Sequence, residues 1–205
     1  NLHRTITIHD PCSTRYETKV QDSVRNILKK TGCEVMELAN SRERTECCSF
    51  GGVMWLANQP IAEKMVQKRI SESPLDYITY CAMCRDFFAK RGKGTVHLLD
   101  ILYGDADPNA PAIGFSQKHE NRARLKSKLL KTLWSEEMIE QQNYEKIRLQ
   151  IEPEVEKTIE DRLILVEDIQ KVVDYAERTK KRMVNSKTGH YLASFKPHAV
   201  TYWVA

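Results

Sequence analysis

Thr5-Ile6-Thr7-Ile8-His9-Asp10-Pro11-Cys12 decides the fold. Five residues rich in β-branched side chains form a strand, Asp10-Pro11 stops it, and a cysteine follows at once. From Tyr16 to Lys30 the apolar residues Val20, Val24, Ile27 and Leu28 recur at helical spacing, with Ser13 or Thr14 as cap, until Thr31-Gly32 ends the helix. Cys33-Glu34-Val35-Met36-Glu37-Leu38 begins the next strand. A polar loop, 39–46, contains Arg42 and Arg44 and delivers Cys47 and Cys48.

The same unit recurs downstream. Gly51-Gly52 follows the cysteine pair and leads into a helix through Met54, Ile61, Met65 and Ile70, disturbed at Pro60. Ser73-Pro74 ends that helix, and Asp76-Tyr77-Ile78-Thr79-Tyr80 is a third strand running straight into Cys81-Ala82-Met83-Cys84. A helical turn through Phe87 and Phe88, a short strand 95–97 and a short helix 98–103 complete the half. Thirty-four residues separate Cys12 from Cys47 and thirty-two separate Cys48 from Cys81, long enough for a strand-helix-strand unit between turns. With the strands parallel, their carboxyl ends gather at one sheet edge, where open α/β folds form their sites. Five thiols then converge.

The rest of the chain has a different texture. Residues 105–116, with prolines and glycines, read as a linker between a cysteine-rich domain over 1–104 and a second domain over 117–205. Helices are predicted over 119–134, 154–161 and 166–179, the last amphipathic through Ile169, Val172, Val173 and Ala176. The period then switches to two: 182–185 and 190–195 flank a Ser186-Lys187-Thr188-Gly189 hairpin loop, and Val200 to Val204 makes a third strand with Tyr202 and Trp203 in its core. The fold class is α/β: a parallel-sheet cysteine-rich domain followed by a smaller α+β tail of helices and a three-stranded antiparallel meander.

Composition narrows the function. At 205 residues with 41% apolar content the chain buries a real core, and 32 Lys and Arg against 28 Asp and Glu give too small an excess to indicate nucleic acid. No window reaches eighteen apolar residues and the N-terminus lacks a signal-peptide layout, so neither a membrane span nor secretion is expected and the cytoplasm is the expected location. The chain starts without methionine and almost on a strand, as a fragment of a longer protein would. Two of the six cysteines are adjacent and two form a Cys-x-x-Cys turn, which suits metal or redox use in a reducing compartment better than a disulfide framework. No glycine-rich nucleotide loop, Ser-His-Asp order or carboxylate dyad stands out.

Thiolate is the form that ligates metal, and turns leading into helix N-termini favour negative charge. Arg15, Arg42, Arg44 and Arg85 lie close in sequence to offset the remainder. A structural zinc or an ordinary four-iron cluster takes four thiolates, one fewer than the five available. One of the adjacent cysteines bridges two irons, or one is spare, or the metal is zinc with an idle neighbour. Adjacent cysteines diverge from an extended chain, which favours a cluster over a lone zinc. A metal-free reading also stands, in which Cys47-Cys48 or Cys81-x-x-Cys84 exchanges with disulfides. Cys33 fits no ligand turn and reads as core. His9 reads as a hydrogen-bonding neighbour of the Cys12 turn or of a sulfur, His97 as structural, and His190 and His198 as surface residues. The basic run Arg122, Arg124, Lys126, Lys128 and Lys131 reads as a solvated helix face, with docking of an acidic partner as the alternative.

His9-Asp10-Pro11-Cys12, Cys47-Cys48-Ser49-Phe50-Gly51-Gly52, Cys81-Ala82-Met83-Cys84 and Leu98-Leu99-Asp100-Ile101-Leu102 together resemble the cysteine-rich CCG domain of the heterodisulfide reductase type, over roughly residues 4 to 104. Related subunits occur in glycolate, lactate and anaerobic glycerol-phosphate oxidoreductases. The resemblance implies an iron-sulfur cluster, in some members a non-cubane 4Fe-4S cluster ligated by five cysteines and in others replaced by zinc. It implies Cys12, Cys47, Cys48, Cys81 and Cys84 as ligands. Two departures stand out: Ser49 occupies the place of the glycine that usually follows the pair, and only one copy of the domain is present. The stretches 115–125 and 188–203 resemble the C-terminal part of pyridine nucleotide-disulfide oxidoreductase/dicluster-binding proteins. That implies electron transfer with a flavin- or ferredoxin-type domain or subunit, flavin and NAD(P) sites elsewhere, and a small disulfide as one acceptor.

Overall fold

The computed structural model describes residues 4–51, 54–104, 106–135 and 142–205. The chain divides into two compact units, residues 1–112 and 113–205. In the first, strands β1 (Arg4–His9), β2 (Cys33–Glu37), β3 (Tyr77–Thr79) and β4 (Thr95–His97) form one all-parallel sheet in the order β2-β1-β3-β4. Helices α1 (Thr18–Lys30), α2 (Met54–Ala57), α3 (Gln59–Ser71), α4 (Ala82–Ala89) and α5 (Leu98–Tyr103) supply the crossovers and the closing turn. The chain winds first to one side of β1 and then to the other, so the switch point lies between the ends of β1 and β3. Cys12 and Cys81 follow those two ends.

Alternation along the strands sorts the side chains into two layers. Ile6, Ile8 and Ile78 pack with Val24, Leu28, Cys33, Val96, Leu98 and Ile101. The other face of the same strands presents Thr7, His9, Tyr77 and Thr79, all buried, and meets Val66, Phe87, Phe88, Cys48 and Cys84. His9 stands edge-on to Phe88 at 4.8 Å between ring centroids. Arg69 of α3 is wholly buried here, donating from Nε to His9 Nδ1 at 3.2 Å and pairing with Glu72 at 2.7 Å. Because Nδ1 accepts, the proton of the neutral imidazole sits on Nε2. Burial first, and the Arg69 charge second, lower the His9 pKa from 6.5 to about 4.

Asp10, fully buried at the end of β1, binds the loops together. Arg25 of α1 grips its two oxygens at 3.0 and 2.9 Å while holding Glu37 of β2 at 2.6 Å. The Arg42 amide and the Tyr80 hydroxyl donate to the same carboxylate at 2.8 and 2.9 Å, and Thr45 Oγ1 donates to the Asp10 carbonyl at 2.7 Å. Burial works against the charge, yet the Arg25 and Arg42 donors outweigh it and hold the carboxyl below its usual range.

Several local expectations are corrected. The cap expected at Ser13 or Thr14 is absent: a 3-10 turn spans Cys12–Thr14, Glu17 precedes α1 without a side-chain cap, and Thr14 Oγ1 instead meets Pro11 O and Tyr80 OH, both at 3.0 Å. The helix after the cysteine pair is two, broken at Asn58, whose Oδ1 caps α3 by accepting from the Ile61 amide; Pro60 sits in the first turn of α3, where its missing N–H costs nothing. Its buried face is Ala62, Val66 and Arg69, while Ile61 and Met65 are exposed. Cys33 is core and His97 caps α5, accepting from the Leu99 amide while Asp100 accepts from the His97 amide.

The second unit holds α6 (Phe115–Trp134), α7 (Pro153–Asp161) and α8 (Val166–Thr179), with β5 (Met183–Val184), β6 (Tyr191–Phe195) and β7 (Tyr202–Val204) in an antiparallel sheet. Tyr175 of α8 stacks on Phe195 at 4.5 Å. Trp203, expected in the core of this sheet, is 60% exposed, because neighbours on a strand point to opposite faces and its partner Tyr202 takes the inward one. The basic run on α6 is exposed, as is His190, and His198 Nε2 lies 3.4 Å from Lys171 Nζ. Among the described residues no helix is long and apolar enough to cross a membrane.

Two consequences are measurable in the metal-free protein by urea denaturation. Asp10→Ala removes the shared acceptor of a buried cluster and strands Arg25 beside Glu37 alone, so stability falls by about 3–5 kcal/mol with an unchanged denaturant slope. His9 stays neutral in the folded protein until about pH 4, whereas the unfolded chain takes up a proton near pH 6.5. Its contribution is therefore complete above pH 6.5 and is lost as pH falls toward 4, on the order of 3 kcal/mol. Replacing His9 with Gln flattens that part of the pH profile.

Candidate metal centre

Three turns at the carboxyl edge of the sheet carry five of the six cysteines, and all six are free thiols. The turns are positioned by Asp10: it precedes the Cys12 turn directly, reaches the loop before Cys47 through Arg42 and Thr45, and reaches the Cys81 turn through Tyr80. The structure thus brings the five predicted residues together. Cys47 Sγ lies 3.7 Å from Cys12 Sγ, and Cys84 Sγ lies 3.3 Å from Cys48 Sγ. The Cys47 thiol also acts on Cys48 and the Cys84 thiol on Cys81, which links the two sulfur pairs into one group. Cys12 is exposed, Cys47 and Cys81 are half-buried, and Cys48 and Cys84 are buried. Among the described residues no three His, Cys, Asp or Glu side chains close on one point as ligands of an ion.

Charge in this group of sulfurs is uneven. The Cys47 and Cys84 thiols, with a smaller contribution from the Phe50 amide, hold Cys48 as a thiolate with a pKa of about 3. The Cys84 thiol and the Cys84 and Met83 amides bring Cys81 to about 6. The donors shift the opposite way: hydrogen bonding to Cys48 pushes the Cys47 thiol up, and hydrogen bonding to Cys48 and Cys81 pushes Cys84 up. The Cys81 environment is the expected one, since Cys81 is the residue preceding α4 and its sulfur receives helix N-terminal amides. For the other turns the expectation is corrected. Cys12 opens a 3-10 turn, and the Cys47-Cys48 pair lies six residues before α2. There the amides come from the turn itself, Ser49 N donating to Cys47 Sγ at 3.2 Å.

That turn contains a left-handed residue, and it is Ser49, with φ of 74°. Gly51 is not left-handed, and Gly52 lies outside the described residues. A non-glycine residue in this region carries a cost of roughly 1–3 kcal/mol, which accounts in physical terms for the glycine that the resemblance places at this position.

The four nearby arginines divide. Arg15 donates to Thr45 O at 2.8 Å and, with Arg44, lines a cavity of about 640 Å³ beside Cys47 that Glu46, Met65 and Lys68 also bound. Arg42 pairs with Asp22 at 2.7 Å, and Arg85 binds the carbonyls of Ala110 and Pro111 at 2.8 and 3.0 Å, fastening the end of the first unit rather than facing a sulfur. Sequence reasoning missed Asp10, Arg25, Thr45, Arg69 and Tyr80. A buried Asp-Pro just ahead of a ligand turn was the available signal for the first; the others are spread over the chain and meet only after folding.

These residues fit an iron-sulfur centre. The donor set is five sulfurs, one firmly ionised and a second readily so, with backbone amides directed at them. Two buried polar atoms beside them, His9 Nε2 and Ser49 Oγ, have no hydrogen-bond partner among the described residues, and His9 lies close enough to Cys48 to feel its charge.

Residues 6–88 match the family model described as the CCG cysteine-rich domain. The EtfAB:quinone oxidoreductase of Syntrophomonas wolfei subsp. wolfei is 32% identical over 95 residues, 41% of this chain and 13% of that protein. The probable iron-sulfur-binding oxidoreductase FadF of Bacillus subtilis is 42% identical over 111 residues, 49% of this chain and 16% of that protein. Lactate utilization protein A of Geobacillus kaustophilus is 32% identical over 82 residues, 38% of this chain and 33% of that protein. The matched stretch thus spans between 13% and 33% of these relatives. No solved structure matches. Residues 6–88 are a cysteine-rich domain of the CCG family.

Proposed function

We propose that Cys12, Cys47, Cys48, Cys81 and Cys84 hold an iron-sulfur cluster of the four-iron class and that this chain is an electron-transfer part of a larger oxidoreductase. The observation that carries the proposal is the group of five sulfurs from three turns at the sheet's switch point, with Cys48 and Cys81 held toward thiolate. Five thiol ligands exceed what one tetrahedral zinc takes and would suit a cluster with more than one metal to ligate. Two of the relatives bear on it through their names, one an iron-sulfur-binding oxidoreductase and one an EtfAB:quinone oxidoreductase.

Such a cluster supplies reversible uptake and release of single electrons. The protein's own contribution is in three parts. The thiolates at Cys48 and Cys81 bind without first losing a proton at neutral pH, while Cys47 and Cys84 release theirs on ligation. The neutral His9 offers Nε2–H as a hydrogen-bond donor toward sulfur. The half-buried, partly exposed arrangement leaves Cys12 and the cavity beside Cys47 open on the outer side, so a redox partner or a small acceptor approaches there. The finer proposal is a donor of flavin or ferredoxin type, a disulfide as one acceptor in the manner of heterodisulfide reductases, and a reducing compartment such as the cytoplasm.

Anaerobically purified protein should contain about four irons and four acid-labile sulfides per chain and show visible absorbance that dithionite bleaches. Replacing Cys48 or Cys84 with Ser should abolish the colour, because both are buried at the inner side of the sulfur group. One zinc per chain, with no colour after iron-sulfur reconstitution, would replace the proposal with a zinc-stapled module.

A further inference from the structure

Three observations meet at Ser49. Its backbone is left-handed, a conformation glycine adopts freely and serine only under strain. Its amide donates to Cys47 Sγ at 3.2 Å, which places the residue against the ligand sulfurs. Its side chain is wholly buried, and the hydroxyl has no hydrogen-bond partner among the described residues. Buried hydroxyls are nearly always paired, so one with no partner among the described residues points to an acceptor other than these. The turn is shared with Cys47 and Cys48, which makes sulfur the available acceptor chemistry.

We propose that the Ser49 hydroxyl is a hydrogen-bond donor to a sulfur of the iron-sulfur centre held by Cys47 and Cys48, and that it raises the reduction potential of that centre. The inference rests on the cluster assignment above. Reduction adds negative charge that spreads onto the sulfurs, and a donor directed at sulfur stabilises the reduced form more than the oxidised one. Ser49 is then a tuning residue rather than a ligand, and its backbone strain is the accompaniment of placing an O–H where glycine would place none.

Two substitutions separate this role from a purely structural one. Ser49→Ala removes the hydroxyl and keeps the strained backbone; Ser49→Gly removes the hydroxyl and relieves the strain. Iron, sulfide, redox titration of the visible spectrum and the urea midpoint are measured for wild type and both variants. Both variants should retain wild-type iron and sulfide and shift the reduction equilibrium about tenfold toward the oxidised form, about 59 mV for one electron. Their urea midpoints should separate, Gly at or above Ala, so potential and stability move independently. Unchanged potentials at full iron loading would overturn the proposal and leave the cluster intact as a reading. So would potentials that follow stability, with Ala and Gly shifting in opposite directions, or loss of iron from both variants, since the hydroxyl would then be holding the turn. A wild-type protein without iron or sulfide fails differently: it removes the cluster assignment itself, and the proposal with it.

Discussion

One buried carboxylate organises the cysteine edge. Asp10 ends β1 with no solvent contact, and a charge in that position persists only if its oxygens are fully engaged. The engagement is what builds the site: Arg25 comes from α1, the Arg42 amide from the loop that carries Cys47 and Cys48, and the Tyr80 hydroxyl from the residue before Cys81. Each partner lies within a few residues of a different cysteine turn or on the helix between them. Satisfying the acceptor and converging the thiols are therefore the same folding event. The Arg25 guanidinium also holds Glu37, so the clamp reaches β2 and fixes the opposite side of the loop.

The parallel sheet is legible in the sequence because short runs such as Arg4–His9 and Tyr77–Thr79 are rich in β-branched and aromatic residues, and because cysteines in three successive turns imply one edge. The helices at 166–179 and 98–103 are legible to their ends for a similar reason, an uninterrupted period between polar breaks. What is not legible depends on partners remote in sequence. Thr14 looks like a cap beside its helix, yet the Tyr80 hydroxyl sixty-six positions away competes for the same oxygen and is met instead. Arg69 sits at a helix position where a charged residue usually faces water; only the folded sheet supplies His9 against its Nε, while Glu72 at the end of the same helix answers its charge. Hydrophobicity places Trp203 inside, whereas alternation along the three-residue strand puts Tyr202 and Val204 on the inward face and turns Trp203 outward.

The five cysteines show the same division. Their number and spacing announce a metal or redox centre, and the structure adds an ordering the sequence does not contain. Cys48 accepts hydrogen bonds from two neighbouring thiols and Cys81 from one thiol plus two amides, so ionisation concentrates on these two sulfurs. The local sequence of Cys47 and Cys48 is nearly symmetrical; their difference arises from burial and from which thiols the other turns bring within reach.

The electrostatics beneath the sulfurs then follow from pairing. Arg69 is charged and buried but answered by Glu72, Asp10 is charged and buried but answered by Arg25, and His9 between them is neutral because burial and the Arg69 charge oppose a second positive group. Negative charge at the sulfurs is met by dipoles, the Ser49, Phe50, Met83 and Cys84 amides. Dipoles fixed by a folded backbone act at short range and keep their orientation when the charge of the centre changes, whereas a mobile surface cation would be screened or displaced. With the proposed cluster held at these sulfurs, such hydrogen bonds would set its affinity for an added electron, each donor being a separate means of adjusting it.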